Sequence, residues 1–257
     1  MKLSFEQFAK LHQQDEPLII ANVWNAQSAR LFEKLKFKAL ATSSAAVAST
    51  LGYSDGEQMS FDEYLFVVKR IRAVTSLPLS VDLEGGYGAT ADEVVSNIKS
   101  LSKEGVVGIN IEDSAIANGT RKILDAGVFA DKLGQISAGL NVAAIQCFIN
   151  VRCDAFLLGL PDTRMEAIKR IQLYQKQGIH GIFLPCITDL DDIKAAVQST
   201  KLPLNVMCMP ALPDFDALRG AGVKRISMGN FVNTFGYSII EKATNEIIQK
   251  KNFSPLF

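Results

Sequence analysis

Eight short apolar runs, separated by longer amphipathic stretches, constrain the fold of this chain more than any other feature. They are PLIIANVW (17–24), FKALATSS (37–44), LPLSVDLE (77–84), VVGINIED (106–113), CFINVRCD (147–154), HGIFLPCI (180–187), LPLNVMCM (202–209) and VKRISMGN (223–230). Each is apolar at successive positions, as strands buried on both faces should be. The stretches between them carry helix signals. Ser60 with Glu63 forms a capping-box pattern ahead of Phe61, Tyr64, Leu65, Val68 and Ile71. Thr90 with Glu93 repeats it ahead of Val94, Ile98 and Leu101, and Thr163 with Glu166 ahead of Ile168 and Ile171. Gly105, Gly178 and Gly222 each stand just before a strand, where a helix C-cap glycine belongs. Eight strands, each followed by helix, predict an α/β fold of the (β/α)8 TIM-barrel type. A dinucleotide-binding open sheet would need GxGxxG after the first strand, where WNAQSA stands instead.

The chain shows no Pro-, Gly- or Ser-rich linker, low-complexity tract or composition shift, so residues 1–257 are expected to form one barrel domain. Residues 230–257 form its C-terminal helical extension, with Phe231, Phe235, Ile239, Ala243 and Ile247 at helical spacing. Pattern alone leaves open whether this apolar helix packs on its own barrel or on a neighbouring subunit. Lys and Arg number 27 and so do Asp and Glu, which argues against a nucleic-acid footprint or a polybasic membrane anchor. No apolar stretch approaches the roughly 18 residues of a membrane span, and the first residues lack an unbroken signal-peptide core. The expectation is a cytoplasmic protein. Cys147, Cys153, Cys186 and Cys208 form no CxxC pair, and His12 and His180 are the only histidines. The thiols read as reduced core residues rather than zinc ligands.

In such barrels chemistry sits at the C-terminal ends of the strands. There the sequence places Asp82, Glu84, Glu112 and Asp113, four acids from two adjacent strands. Alternation along a strand puts 82 and 84 on one face. Crowded carboxylates call for a cation, and oxygen ligands without histidine suit Mg²⁺ or Mn²⁺. The glycines of GGYG (85–88) would let the backbone approach a ligand. Arg152, at the end of the fifth strand, offers a fork for a carboxylate or a developing oxyanion. Ser43, Ser44 and Ala45 offer hydroxyls and successive N–H groups as an anion nest. Together these describe a site for a 2-oxo acid or its enolate.

Over residues 15–245 the chain resembles the isocitrate lyase/phosphoenolpyruvate mutase superfamily. SVDLEGGYG (80–88) is similar to that family's D-x-D-x-G-Y-G metal strand, and NIEDS (110–114) to its E-D strand. TSSAAVASTLGYSD (42–55) resembles its S-G…L-G-x-x-D segment, and NVRCDAF (150–156) its A-R-x-[DE]-A-[FY] strand. The resemblance implies that Asp82 is the direct Mg²⁺ ligand, with Glu84, Glu112 and Asp55 acting through metal-bound water. Ser43, Ser44 and Ala45 would hold the substrate carboxylate, Arg152 would contact the oxo acid, and Trp24 would line the site. It also implies a homodimer or homotetramer in which the last helix packs on a neighbour.

The chain departs from the family in the segment 114–129, SAIANGTRKILDAGVF, which lacks the lyase K-[KR]-C-G-H and its acid/base cysteine. A standard isocitrate lyase is therefore not expected. Asn118, Thr120 and Arg121 echo the mutase loop and are the candidates for the substrate's distal end, on a loop that closes over the site. Glu84 stands where the family has Asp, and Pro185-Cys186 where mutases have His. Three readings stay open: a C–C lyase or hydrolase on an oxaloacetate-like acid, a P–C bond mutase or hydrolase, and a metal and 2-oxo acid binding protein without catalysis.

Overall fold

The computed structural model describes residues 5–117 and 119–257. All eight apolar runs contain a barrel strand. These are β1 (Leu18–Val23), β2 (Leu40–Thr42), β3 (Leu79–Asp82) and β4 (Gly108–Glu112), then β7 (Phe148–Arg152), β8 (Gly181–Leu184), β9 (Leu204–Met207) and β10 (Arg225–Ser227). They pair in parallel around the ring β1-β10-β9-β8-β7-β4-β3-β2, and β1 closes it by pairing with both β10 and β2. Between β4 and β7 the chain inserts an antiparallel hairpin, β5 (Ser114–Ala117) and β6 (Thr120–Ile123), in register Ser114↔Ile123. The sequence pattern predicts only a loop there.

Ten helices are described: α1 (Phe5–Leu11), α2 (Ala26–Lys34), α3 (Ser44–Leu51), α4 (Phe61–Arg72), α5 (Ala91–Lys103), α6 (Ala126–Val142), α7 (Thr163–Tyr174), α8 (Leu190–Gln198), α9 (Phe215–Gly220) and α10 (Phe231–Lys250). The capping boxes at Ser60/Glu63 and Thr90/Glu93 form as expected, each joining side chain and backbone reciprocally. The third does not. Asp162 is the N-cap of α7 at φ 49° and caps with no side-chain bond, while the Thr163 hydroxyl donates to the Leu160 carbonyl. Gly105, Gly178 and Gly222 do take left-handed conformations before their strands.

The main core lies between the barrel and its helices, built from residues such as Val81, Ile109 and Val151 on the strands and Ile98, Leu133 and Ile171 on the helices. Inside the barrel the lower layer is mostly apolar, with the fully buried Arg225 among it, and is plugged by α1. Phe8 packs edge-on to Phe148 at 5.4 Å, and His12 stacks on the same ring at 4.4 Å. Gly108 makes room for this plug, because a Cβ there would meet Phe8 at 3.0 Å. Above it the interior is polar. Asn150 donates to Asn110 at 2.9 Å, and Asn205 donates to Ser227 at 3.0 Å. This graded filling leaves the C-terminal end of the barrel as the chemically active rim. In α10, Asn233 is the buried residue, while Phe235, Tyr237, Ile239, Ile240 and Ile248 are exposed. Among the described residues no helix is long and apolar enough to cross a membrane.

Candidate active site

A cavity of about 270 Å³ opens at the C-terminal ends of the strands, bordered by Ser43, Ser44, Ala45, Asp55, Asp82, Arg121 and Arg152. Asn22, Asn110 and Ser227 form its polar floor, and Leu157, Phe183, Pro185 and Met207 its apolar wall. The structure thus brings together seven of the sequence-predicted residues from five separate segments.

Asp82 ends β3 and is held from both sides of its backbone. Its N–H donates to Thr42 Oγ1 at 2.9 Å, and its carbonyl accepts from the Tyr64 hydroxyl at 2.9 Å. The Tyr64 and Thr42 oxygens are themselves 2.5 Å apart, so one fully buried ring fixes the position of this acid. On its side chain, Oδ2 accepts from Ser44 Oγ at 2.9 Å. Burial pushes the Asp82 carboxyl above the usual range, against the Arg152 charge, which lowers it. Ser43 caps α3, accepting from the Ala46 N–H at 3.3 Å, which aims the first turn of that helix at the cavity.

Arg152, at the end of β7, is clamped by two acids. Nε and Nη2 donate to the two Asp154 oxygens at 2.6 and 3.2 Å, and Nη1 lies 2.9 Å from Glu112 Oε2. Arg121, from β6, reaches down from the hairpin. Its Nη1 donates to Glu112 and, at 2.8 Å, to Ser114 Oγ, and its Nη2 donates to Asp55 at 2.9 Å. Two guanidinium groups therefore stand among the site acids. Burial raises the Glu112 carboxyl, and the Arg152 charge beside it opposes that rise and favours the ionised form. Arg152 is raised because Glu112, Asp154 and Asp82 outweigh its own burial. Asp154 is absent from the predicted site; the signal for it is Arg-x-Asp, in which an aspartate in the turn just past the strand folds back to chelate the guanidinium.

Several expectations are corrected. β3 ends at Asp82, and Glu84 takes a left-handed backbone at φ 50°, so the argument that 82 and 84 share a strand face fails. Neither Glu84 nor Glu112 borders the cavity; Glu112 is held by Arg121 and Arg152, and both Glu84 oxygens are engaged by neighbours. Asp113 faces the other way. It accepts from Arg170 at 3.1 Å, from Tyr174 at 2.9 Å and from the Asp154 N–H at 2.8 Å, tying the barrel to α7. Trp24 lines a separate groove beside α10, with Leu31, Tyr237 and Ile240. Thr120 is exposed and away from the cavity. Asn118 lies outside the described residues. The four thiols are free, none borders the cavity, and burial raises all of them, Cys147 to about 12. His180 accepts from the Ile149 N–H at the opposite end of the barrel.

The donor chemistry fits a hard divalent cation. Asp55 and Asp82 border the cavity, and Asp55 Oδ1 is buried with no hydrogen-bond partner among the described residues. The described residues hold no ready-made group of three or more His, Cys, Asp and Glu ligands. The Arg121 guanidinium stands between Asp55 and Glu112.

A parallel eight-stranded barrel with acids and arginines at its C-terminal rim defines a class of barrel enzymes, and comparison narrows it. The phosphoenolpyruvate phosphomutase family matches residues 8–248, and the chain belongs to that family, within the isocitrate lyase/phosphoenolpyruvate mutase superfamily. Relatives include 2-methylisocitrate lyase of Escherichia coli K12, 30% identical over 217 residues, 81% of this chain and 72% of that protein. Another is oxaloacetate decarboxylase of Pseudomonas entomophila, 30% identical over 215 residues, 82% of this chain and 73% of that protein. A solved structure from Burkholderia cenocepacia J2315 superposes with a TM-score of 0.89 at 31% identity, covering 96% of this chain and 100% of that one. Members of the superfamily are lyases, mutases or hydrolases.

Proposed function

We propose that this chain is a divalent-cation-dependent enzyme that acts on a small, oxaloacetate-like 2-oxo acid and cleaves the C–C bond once removed from the oxo group, between the carbon next to the oxo carbon and its carboxylate. The observation that carries the reading is the cavity of about 270 Å³, in which Asp55 and Asp82 face Arg121 and Arg152. Its size suits a molecule of a few carbons, and its two cations suit a dianion. Asp82, with Asp55 and Glu112, would hold Mg²⁺ or Mn²⁺. The ion, when bound, polarises the oxo group and neutralises developing charge.

The remaining chemistry belongs to the chain's own side chains. Arg152, immobilised by Asp154 and Glu112, presents a fixed positive charge that offsets negative charge growing on the oxo oxygen. The Ser43 and Ser44 hydroxyls and the first turn of α3 orient a carboxylate. The hairpin reaches over the cavity through Arg121, which holds Asp55 at 2.9 Å. Among the described residues, no thiol, imidazole or amine side chain borders the cavity. A retro-aldol cleavage would have to use a carboxylate as the base that takes a hydroxyl proton, whereas decarboxylation needs no base and is the simpler reading. In decarboxylation the C–C electron pair moves into the enolate, carbon dioxide departs, and water supplies the proton afterwards. A relative named oxaloacetate decarboxylase supports the same choice. The exposed apolar side chains of α10 support a homodimer or homotetramer.

The test is pyruvate release from oxaloacetate with and without Mg²⁺ or Mn²⁺. Cation-dependent turnover that Asp82→Asn abolishes supports the reading. Turnover unchanged by chelator, or by that substitution, refutes it.

A further inference from the structure

We infer that Glu84 is a positioning residue, clasping the turn that carries Asp55 and so fixing Asp55 at the cavity rather than holding metal-bound water itself. The inference rests on the proposed role of Asp55 as a cation-holding acid. Glu84 Oε2 accepts from two successive backbone N–H groups, Gly56 at 2.9 Å and Glu57 at 2.8 Å. Its Oε1 accepts from the Tyr87 hydroxyl at 2.7 Å. The clasp is returned in the other direction, because Glu57 Oε1 accepts from the Tyr87 N–H at 2.7 Å. Three hydrogen bonds thus join 56–57 to 84–87, the Tyr87 hydroxyl steadies Glu84 by a fourth, and Asp55 lies one peptide unit from the first of them.

Close packing explains why the turn needs this tie. Gly56 sits at φ 101°, and a Cβ there would meet Ile116 of the hairpin at 2.5 Å. The turn is thus wedged between Glu84 below and the hairpin above, and Asp55 is steered toward Arg121 at 2.9 Å. Side-chain length decides the residue type. Both N–H groups share one oxygen, and an aspartate, shorter by one methylene of about 1.5 Å, falls out of hydrogen-bond reach of them. Glutamine keeps the reach. Its carbonyl oxygen can accept both N–H groups, and its NH₂ can donate to the Tyr87 oxygen. A residue that served the cation through charge would show the reverse order, tolerating aspartate and failing as glutamine.

The experiment compares Glu84→Asp and Glu84→Gln with wild type and Asp82→Asn, using Mn²⁺ binding by calorimetry and amide hydrogen exchange of Gly56 and Glu57. Loss of two hydrogen bonds predicts that Glu84→Asp weakens Mn²⁺ binding about tenfold or more and accelerates exchange at both amides. Glu84→Gln is expected to stay within about threefold of wild type on both readouts. The inference is overturned if Glu84→Gln loses Mn²⁺ as Asp82→Asn does while Glu84→Asp binds normally. Unchanged exchange at Gly56 and Glu57 in Glu84→Asp also overturns it. Should wild type bind no Mn²⁺, the proposed function fails by itself, and the exchange rates still decide whether the clasp exists.

Discussion

Replacing Arg121 with Met is the sharpest perturbation of this site, because it removes a charge while keeping an unbranched side chain. Arg121 pairs with Glu112, whose side chain is 4% exposed, and with Asp55, whose side chain is 37% exposed. Breaking a buried ion pair by removing one partner costs ~3–5 kcal/mol. Two facts reduce that here: Glu112 keeps Arg152 at 2.9 Å, and Asp55 is partly hydrated. The expected loss without divalent cation is therefore ~2 kcal/mol, read as a lower urea midpoint at an unchanged slope. The same geometry sets the cation's affinity. In wild type the ion must draw Asp55 and Glu112 away from Arg121, whereas in Arg121→Met it meets uncompensated acids. Relief of ~2 kcal/mol would tighten Mg²⁺ binding about thirtyfold. Saturating Mg²⁺ should then stabilise the variant more than wild type. Turnover should fall, since the hairpin loses its anchor. If Arg121→Met binds Mg²⁺ no more tightly than wild type, and loses the same stability with and without it, Arg121 and the ion do not share these acids.

Three further outcomes follow from the geometry. His12, buried beneath the barrel, has its pKa lowered to about 3, first by desolvation and then by Arg225. It is neutral in the folded chain and protonates in the unfolded chain near its ordinary 6.5. Its contribution is therefore present above that pH and is lost as pH falls toward 3, by ~2 kcal/mol at pH 5; His12→Phe should flatten this part of the urea stability profile, and an equal acid slope in both proteins would contradict it. Tyr64→Phe keeps the buried ring but removes the bonds to Thr42 and the Asp82 carbonyl, so it should cost ~1–2 kcal/mol in urea unfolding and lower turnover; full activity would show that Asp82 is held by other means. The exposed Phe235 and Ile239 of α10 predict a wild-type dimer or tetramer by light scattering that Phe235→Glu with Ile239→Glu dissociates, whereas a monomeric wild type would refute the subunit contact.

The barrel was legible because its signal is repeated. Eight doubly buried strands cannot be mistaken for half-exposed ones, and each run contains its observed strand. The hairpin β5–β6 was not legible, because Ser114–Ile123 carries mixed polar residues with no apolar face to report its pairing. The site was legible where it depended on residue type at a strand end, as with Asp82 and Arg152. It was misread wherever backbone direction decided. Glu84 lies two residues beyond Asp82, yet the chain has left the strand and turned left-handed there. Trp24 follows β1 directly, and its ring joins the α10 groove instead of the rim.

Glu112 and Asp113 show how tightly these two directions are coupled. They are neighbours on one strand end, so alternation sends Glu112 inward, against Arg121 and Arg152 beneath the cavity lining, and Asp113 to the helical layer. Asp113 is nonetheless connected to the chemistry. Arg170 and Tyr174 of α7 hold one of its oxygens, and the other holds the backbone N–H of Asp154. Asp154 in turn holds both Nε and Nη2 of Arg152. The charge that would meet the substrate is thus oriented by a chain of buried contacts reaching to the outer helix. Each link is a buried charge with a partner, the condition under which such groups are tolerated in an interior. The acid pair Glu-Asp and the triplet Arg-Cys-Asp are therefore one construction. One acid neutralises the arginine from within the barrel, and the other fixes from outside the aspartate that aims it.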